Sequence, residues 1–137
     1  MTTINATKGE FVNLINGLFA VQELKGKKFG LAVSKNLTLL QESLKELEEM
    51  GIPSPEFLDL ARKVNEISKT DPEGAVEKIE KIEKDNQILV QERKDQVEMV
   101  TTVMLEPMEL KLKTMSEALL PDDITAQQIS GIQKLID

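Results

Sequence analysis

Glu48-Glu49 and Asp122-Asp123 pair carboxylates, and Ser34-Lys35 sets a hydroxyl beside an amine; these are the places where the chain has residue types that could do chemistry. Paired acids can divide general acid–base work, and a Ser–Lys pair can supply a nucleophile with its own base. Neither arrangement is selective here. Acidic residues number 24 in this chain, so adjacent acids carry almost no signal, and a Ser–Lys dyad is defined by tertiary geometry rather than by adjacency. Asp122-Asp123 reads better as negative charge before the last helix, where it complements the helix dipole.

The missing residue types narrow the field further. There is no Cys, which removes disulfides, thiolate nucleophiles and Cys-ligated metals. There is no His, the commonest general base, transition-metal ligand and pH switch. The seven glycines are scattered and build no phosphate-cradling loop, and no D-x-D-x-D-G cation loop is present. The expectation is a protein that is not an enzyme, with no catalytic, cofactor-binding or metal-ligating residues.

A net charge of -7 argues against direct binding of nucleic acid, which needs a basic face. Lys25, Lys27 and Lys28 form the one tight basic cluster, expected to complement the negative end of the helix before them rather than to hold a phosphate. The longest uncharged run, Phe11 to Gln22, is too short for a bilayer and lies inside an amphipathic pattern. The opening residues lack the basic and apolar regions of a signal peptide, so a cytoplasmic protein with no membrane contact is expected.

With chemistry set aside, the elements become the subject. Phe29, Val33, Leu37, Leu40, Leu44 and Leu47 recur at intervals of four, four, three, four and three, a narrow stripe along a helix that runs to Met50. Before it, Thr7-Lys8-Gly9-Glu10 reads as a capping box opening a helix with Phe11, Leu14, Ile15, Leu18 and Val21 on one face, closed at Gly26 as a left-handed C-cap. Ser54-Pro55-Glu56 starts a shorter helix carrying Phe57, Leu60, Ala61, Val64 and Ile67, with a break at Ser68-Lys69-Thr70. Asp71-Pro72-Glu73 repeats the start signal, and one long helix is expected from there to about Leu105. Asn86 and Arg93 interrupt its apolar seam, either as a solvent-exposed patch or as polar residues that fix register against the seam helix. Val97 to Leu105 holds enough β-branched residues for a strand to compete, but its spacing favours a helix.

Met108-Glu109-Leu110-Lys111-Leu112-Lys113-Thr114 alternates with period two, the pattern of a half-buried strand. Residues 2–6 are its one plausible partner within the chain; without them its edge is open to another molecule. Thr125-Ala126-Gln127-Gln128 is a second capping box, followed by Ile129, Ile132, Leu135 and Ile136 facing inward, so the last residues are expected to be docked.

Three stretches taken together resemble a widespread set of small tailed-bacteriophage proteins of about this length. They are Thr7 to Phe11, then Leu24 to Lys28 leading into Leu31-Ala32-Val33-Ser34-Lys35-Asn36-Leu37, and finally Leu120-Pro121-Asp122-Asp123-Ile124-Thr125-Ala126. The Gly26-Lys27-Lys28 turn stands where those proteins often have a proline. The resemblance implies two leading helices, a longer helix, a short strand and a Thr-capped terminal helix, and it carries over no catalytic residue. It also implies action by contact with other proteins, in the host cytoplasm or within the virion.

The expected fold is mainly α: one domain over residues 1–137, a small helical bundle with a long antiparallel helical hairpin and a short β element near 108–114. The hairpin is expected to pair the seam helix with the long helix. The expected function is that of a virion structural or assembly accessory, with an inhibitor of a host or defence protein, acting through an acidic helical face, as the alternative. Met108, Leu110, Leu112, Asn86 and Arg93 are the candidate partner-contact residues, the partner being a phage structural or host protein, with self-association left open.

Overall fold

Thr7 is where the chain changes from strand to helix, and its side chain makes the change. Its hydroxyl accepts the Glu10 amide at 3.1 Å, and the Glu10 carboxylate accepts the Thr7 amide at 3.2 Å, the expected reciprocal box. The structure, a computed structural model, describes all residues from Met1 to Asp137. In order it contains β1 (Thr2–Thr7), α1 (Lys8–Val21), α2 (Lys27–Ser43), α3 (Lys45–Met50), α4 (Pro55–Thr70), α5 (Ala75–Asp85), α6 (Gln87–Met104), β2 (Pro107–Leu112) and α7 (Ala126–Gly131), with short 3-10 turns at Glu117–Leu119 and Gln133–Leu135. The fold is mainly α, with seven helices and one two-stranded antiparallel sheet. The chain divides into two compact units: Met1–Leu47 with Thr102–Asp137, and Glu48–Thr101.

The first unit holds most of the core. Phe11, Leu14, Leu18 and Val21 of α1 are buried, and α1 packs on α2 and on α7. All six residues of the seam are buried as well, as the spacing requires. The seam helix is not continuous: α2 ends at Ser43, and Leu44, at φ -105° and ψ 10°, breaks it before α3. The stripe survives the break because Leu40 before it, Leu44 at it and Leu47 after it are all buried.

Gly26 has a positive φ of 134°, but it precedes α2 rather than ending α1, which stops at Val21 with Gln22 as its cap. Its carbonyl accepts the Gly30 amide at 2.8 Å, the first bond of the new helix. Lys27 and Lys28 therefore open a helix instead of closing one, so the dipole role expected for this pair is not the one they occupy.

β1 and β2 pair in the register Thr2↔Leu112 to Thr7↔Pro107, so residues 2–6 do supply the expected partner strand. The Lys8 amide donates to the Glu106 carbonyl at 3.0 Å, one step beyond that register. In an antiparallel ladder opposed residues alternate between bonded and non-bonded pairs, so the even-numbered pairs Ala6–Met108, Ile4–Leu110 and Thr2–Leu112 exchange bonds. The odd-numbered residues turn their N–H and C=O groups outward. Pro107, with no N–H, falls at one of these outward positions and costs the ladder nothing.

Lys113 continues the outward set on the β2 side, and there α2 meets it. Asn36, fully buried at 0% exposure, donates its side-chain amide to the Lys113 carbonyl at 2.8 Å and accepts the Lys113 amide at 2.8 Å. A side chain thus copies what a third strand would offer. The only buried polar residue of the chain sits inside the leucine stripe for this reason.

The end of the chain is docked, as expected. Thr125 caps α7 through Gln128, Ile132 and Leu135 are fully buried, and Met115 bonds with Leu135 and Asp137 at 2.8 and 2.9 Å. α7 crosses α1 at glycines: a Cβ placed on Gly17 would lie 2.1 Å from the Gly131 carbonyl oxygen.

In the second unit the antiparallel hairpin joins α4 to α5 through the turn at residues 71–74. α4, not the seam helix expected from the spacing, supplies the arm of this hairpin, because so short a turn makes neighbours of the helices it links. α4 also runs through the expected break to Thr70. The Ser68 and Thr70 hydroxyls bond back to the Val64 and Glu66 carbonyls at 3.2 and 2.8 Å, which helical backbone tolerates. Asp71 is the C-cap of α4 rather than the N-cap of a new helix, and its carboxylate accepts the Gly74 amide at 3.2 Å to shape the turn. Residues 97–104 are helical.

Candidate contact surface

α4 begins where Ser54 accepts the Phe57 amide at 3.2 Å with Pro55 in the first turn, so its first aromatic residue has a fixed place. Phe57, Leu60, Ala61 and Val64 of α4, with Val90 of α6, line an open cleft of about 350 Å³ edged by Asn65, Ser68 and Glu83. The Arg93 guanidinium stands 5.8 Å from the centre of the Phe57 ring, within cation–π reach. At the other end of the hairpin the Asp71 carboxyl is held below its ordinary range, first by the hydrogen bond from Lys78 at 2.6 Å and then by the Gly74 amide.

Arg93 and Gln96 have a second task. Arg93 donates to the Gly51 carbonyl at 3.0 Å and to the Gln96 side chain at 2.9 Å. Gln96 in turn donates to the carbonyls of Met50 and Ile52 at 2.8 and 2.7 Å. The last carbonyls of a helix have no partner within it. Two side chains from α6 therefore cap the end of α3 and the loop after it, which accounts for polar groups in an otherwise apolar seam. Sequence spacing singled out Arg93 but passed over Gln96; its place one turn on from Arg93 is the signal that was available.

Asn86 marks a break in the expected long helix. With φ -121° and ψ 35° it separates α5 from α6, and its side-chain amide donates to the Ile82 carbonyl at 2.8 Å. The Asn86 backbone amide donates to the same carbonyl at 3.1 Å, so side chain and backbone together close the last turn of α5.

What sets this unit apart is how little of its apolar surface is covered. Within Glu48–Thr101 only Leu60 and Ala75 are buried among the hydrophobic side chains. Ile67, Ile79, Ile82, Leu89 and Val100 are half-buried, while Leu58, Val76, Ile88, Val97 and Met99 are exposed, Ile88 by 78%. α4 and α5 are nonetheless strongly two-sided, with charged residues on their outer faces. Two-sided helices of this kind need a cover for the apolar side.

The strand residues separate. Met108 and Leu110 are half-buried on one face of the ribbon, and Leu112 is a core residue with 0% exposure. They lie in the first unit, while Asn86 and Arg93 lie in the second, both half-buried. Of the chemical candidates, Ser34 and Lys35 are exposed, and Glu48-Glu49 and Asp122-Asp123 point to solvent. No group of three or more acidic side chains is placed to hold a metal ion. No helix is long and apolar enough to cross a membrane. Compared with protein-family models, curated proteins and solved structures, the chain matches none.

Proposed function

We propose that this protein is non-enzymatic and works by contact with other proteins, as a structural or assembly accessory of a tailed-phage particle. The observation that carries the contact reading is the thin apolar cover of the unit Glu48–Thr101, where only Leu60 and Ala75 are buried and six large hydrophobic side chains, Ile52, Leu58, Val76, Ile88, Val97 and Met99, are exposed. Half-buried apolar faces with further large hydrophobic side chains exposed beside them offer a partner the apolar area that a protein interface buries. The phage context rests on the sequence resemblance. The partner is a phage structural protein, and neither nucleic acid nor membrane is bound directly.

Mass spectrometry of purified particles tests this. The chain is expected in the virion at fixed copy number, and Ile88→Lys or Met99→Lys on the exposed side should reduce its incorporation without unfolding it. Absence from particles, together with recovery of one stoichiometric host protein from a lysate, would replace this reading with that of an intracellular inhibitor.

A further inference from the structure

The two outer edges of the β ribbon are not alike. On the β2 side Pro107 offers no donor, Glu109 and Lys111 bring charge, and Asn36 occupies both backbone groups of Lys113. Charge, proline and cover are the devices that keep a strand edge from recruiting another. On the β1 side the residues Thr2–Thr7 contain no charge, no Pro and no Gly. The outward set there is Thr3, Asn5 and Thr7. The Thr7 amide is taken by Glu10, but Thr3 and Asn5 are exposed and their outward N–H and C=O groups have no partner in the fold.

We propose that this edge pairs with the same edge of a second copy, joining two ribbons into a four-stranded antiparallel sheet in the order β2-β1-β1-β2. The register follows from which groups are free. With Ile4 opposite Ile4 of the other copy, Thr3 faces Asn5 and Asn5 faces Thr3, and both pairs exchange two bonds, four in all. Moving the strands by two residues in either direction sets one of the free residues against Thr7, whose amide is occupied, or against Met1. The twofold places no like charges in opposition, because Thr2–Thr7 carries no charged residue. Ile4 against Ile4 is also a favourable cross-strand pair. The inference stands apart from the phage reading and does not depend on it.

Sedimentation equilibrium of the chain across micromolar to millimolar concentration tests the pairing. The mass is expected to rise toward twice that of the chain. Asn5→Pro removes an outward donor while leaving the β1–β2 ladder intact, and should remain monomeric with an unchanged circular dichroism spectrum. Lys111→Pro, the matching change on the other edge, should still dimerise. Hydrogen exchange on the unmodified chain reads the same edge independently of whether the proline variant folds: the Thr3 and Asn5 amides should slow as concentration rises, while those of Glu109 and Lys111 should not. A monomer at every concentration, a dimer that survives Asn5→Pro, or exchange at Thr3 and Asn5 that ignores concentration would each overturn the proposal.

Discussion

Replacing Asn36 tests whether one side chain holds the end of the ribbon to the helices. Asn36→Leu keeps the volume of the buried site and removes both bonds to Lys113, made at 2.8 Å each. Each bond is worth about 1 kcal/mol net, and a backbone group left without a partner adds about 1–3 kcal/mol where water cannot reach it. The Lys113 side chain is exposed, so water can recover part of that loss, and the expected cost is about 2–3 kcal/mol. For a chain of this size that lowers Tm by roughly 6–12 °C. Asn36→Asp should cost more at neutral pH, because a buried carboxylate keeps the acceptor for the Lys113 amide but sets negative charge against its carbonyl. Burial raises the pKa of such a group in the folded state, so that the penalty is full above the raised value and fades as pH falls through it. Thermal melts by circular dichroism measure the global effect, and amide exchange at Lys113 measures the local one. If Asn36→Leu melts within a degree of the parent and the Lys113 amide stays protected, the third-strand role of Asn36 is wrong.

Gly17→Ala should destabilise the first unit by about 1–3 kcal/mol, since its methyl would meet the Gly131 backbone and not a movable side chain; Gly131→Ala, whose Cβ finds its nearest atom at 3.2 Å, should cost less, and parallel melts compare the two. Gln96→Ala strips the cap from Met50 and Ile52 and should raise amide exchange across residues 50–54, with a stability loss of about 1–2 kcal/mol by urea titration. Glu10 titrates below its ordinary value of 4.5, first through the hydrogen bond from Lys134 and then through the Thr7 amide. Its folded pKa is depressed, so its contribution to stability is present above 4.5 and is lost as pH falls through the depressed value. In Lys134→Met the Glu10 carboxyl resonance should titrate closer to 4.5, and an unshifted curve would refute the pairing.

Sequence alone determined whatever depends on neighbours along the chain. The two Thr capping boxes, the Ser54-Pro55 start, the buried stripe from Phe29 to Leu47 and the period-two strand all arise from residues within a turn or two of each other. Local periodicity also made residues 97–104 a helix in spite of their β-branched content. It identified Arg93 as out of place in its seam, though not what it binds. Tertiary structure decided the rest. Asn36 reads as one more polar residue until Lys113 comes beside it, and Gly17 as one more helical glycine until Gly131 crosses it. The start signal at Asp71-Pro72-Glu73 became a turn because α4 and α5 fold back on each other there. Which strand edge is blocked and which is free depends on where α2 lies, and a one-dimensional pattern carries no record of that. Backbone groups far apart in sequence satisfy one another only after the chain has folded, so their partners are read from the fold and not from spacing.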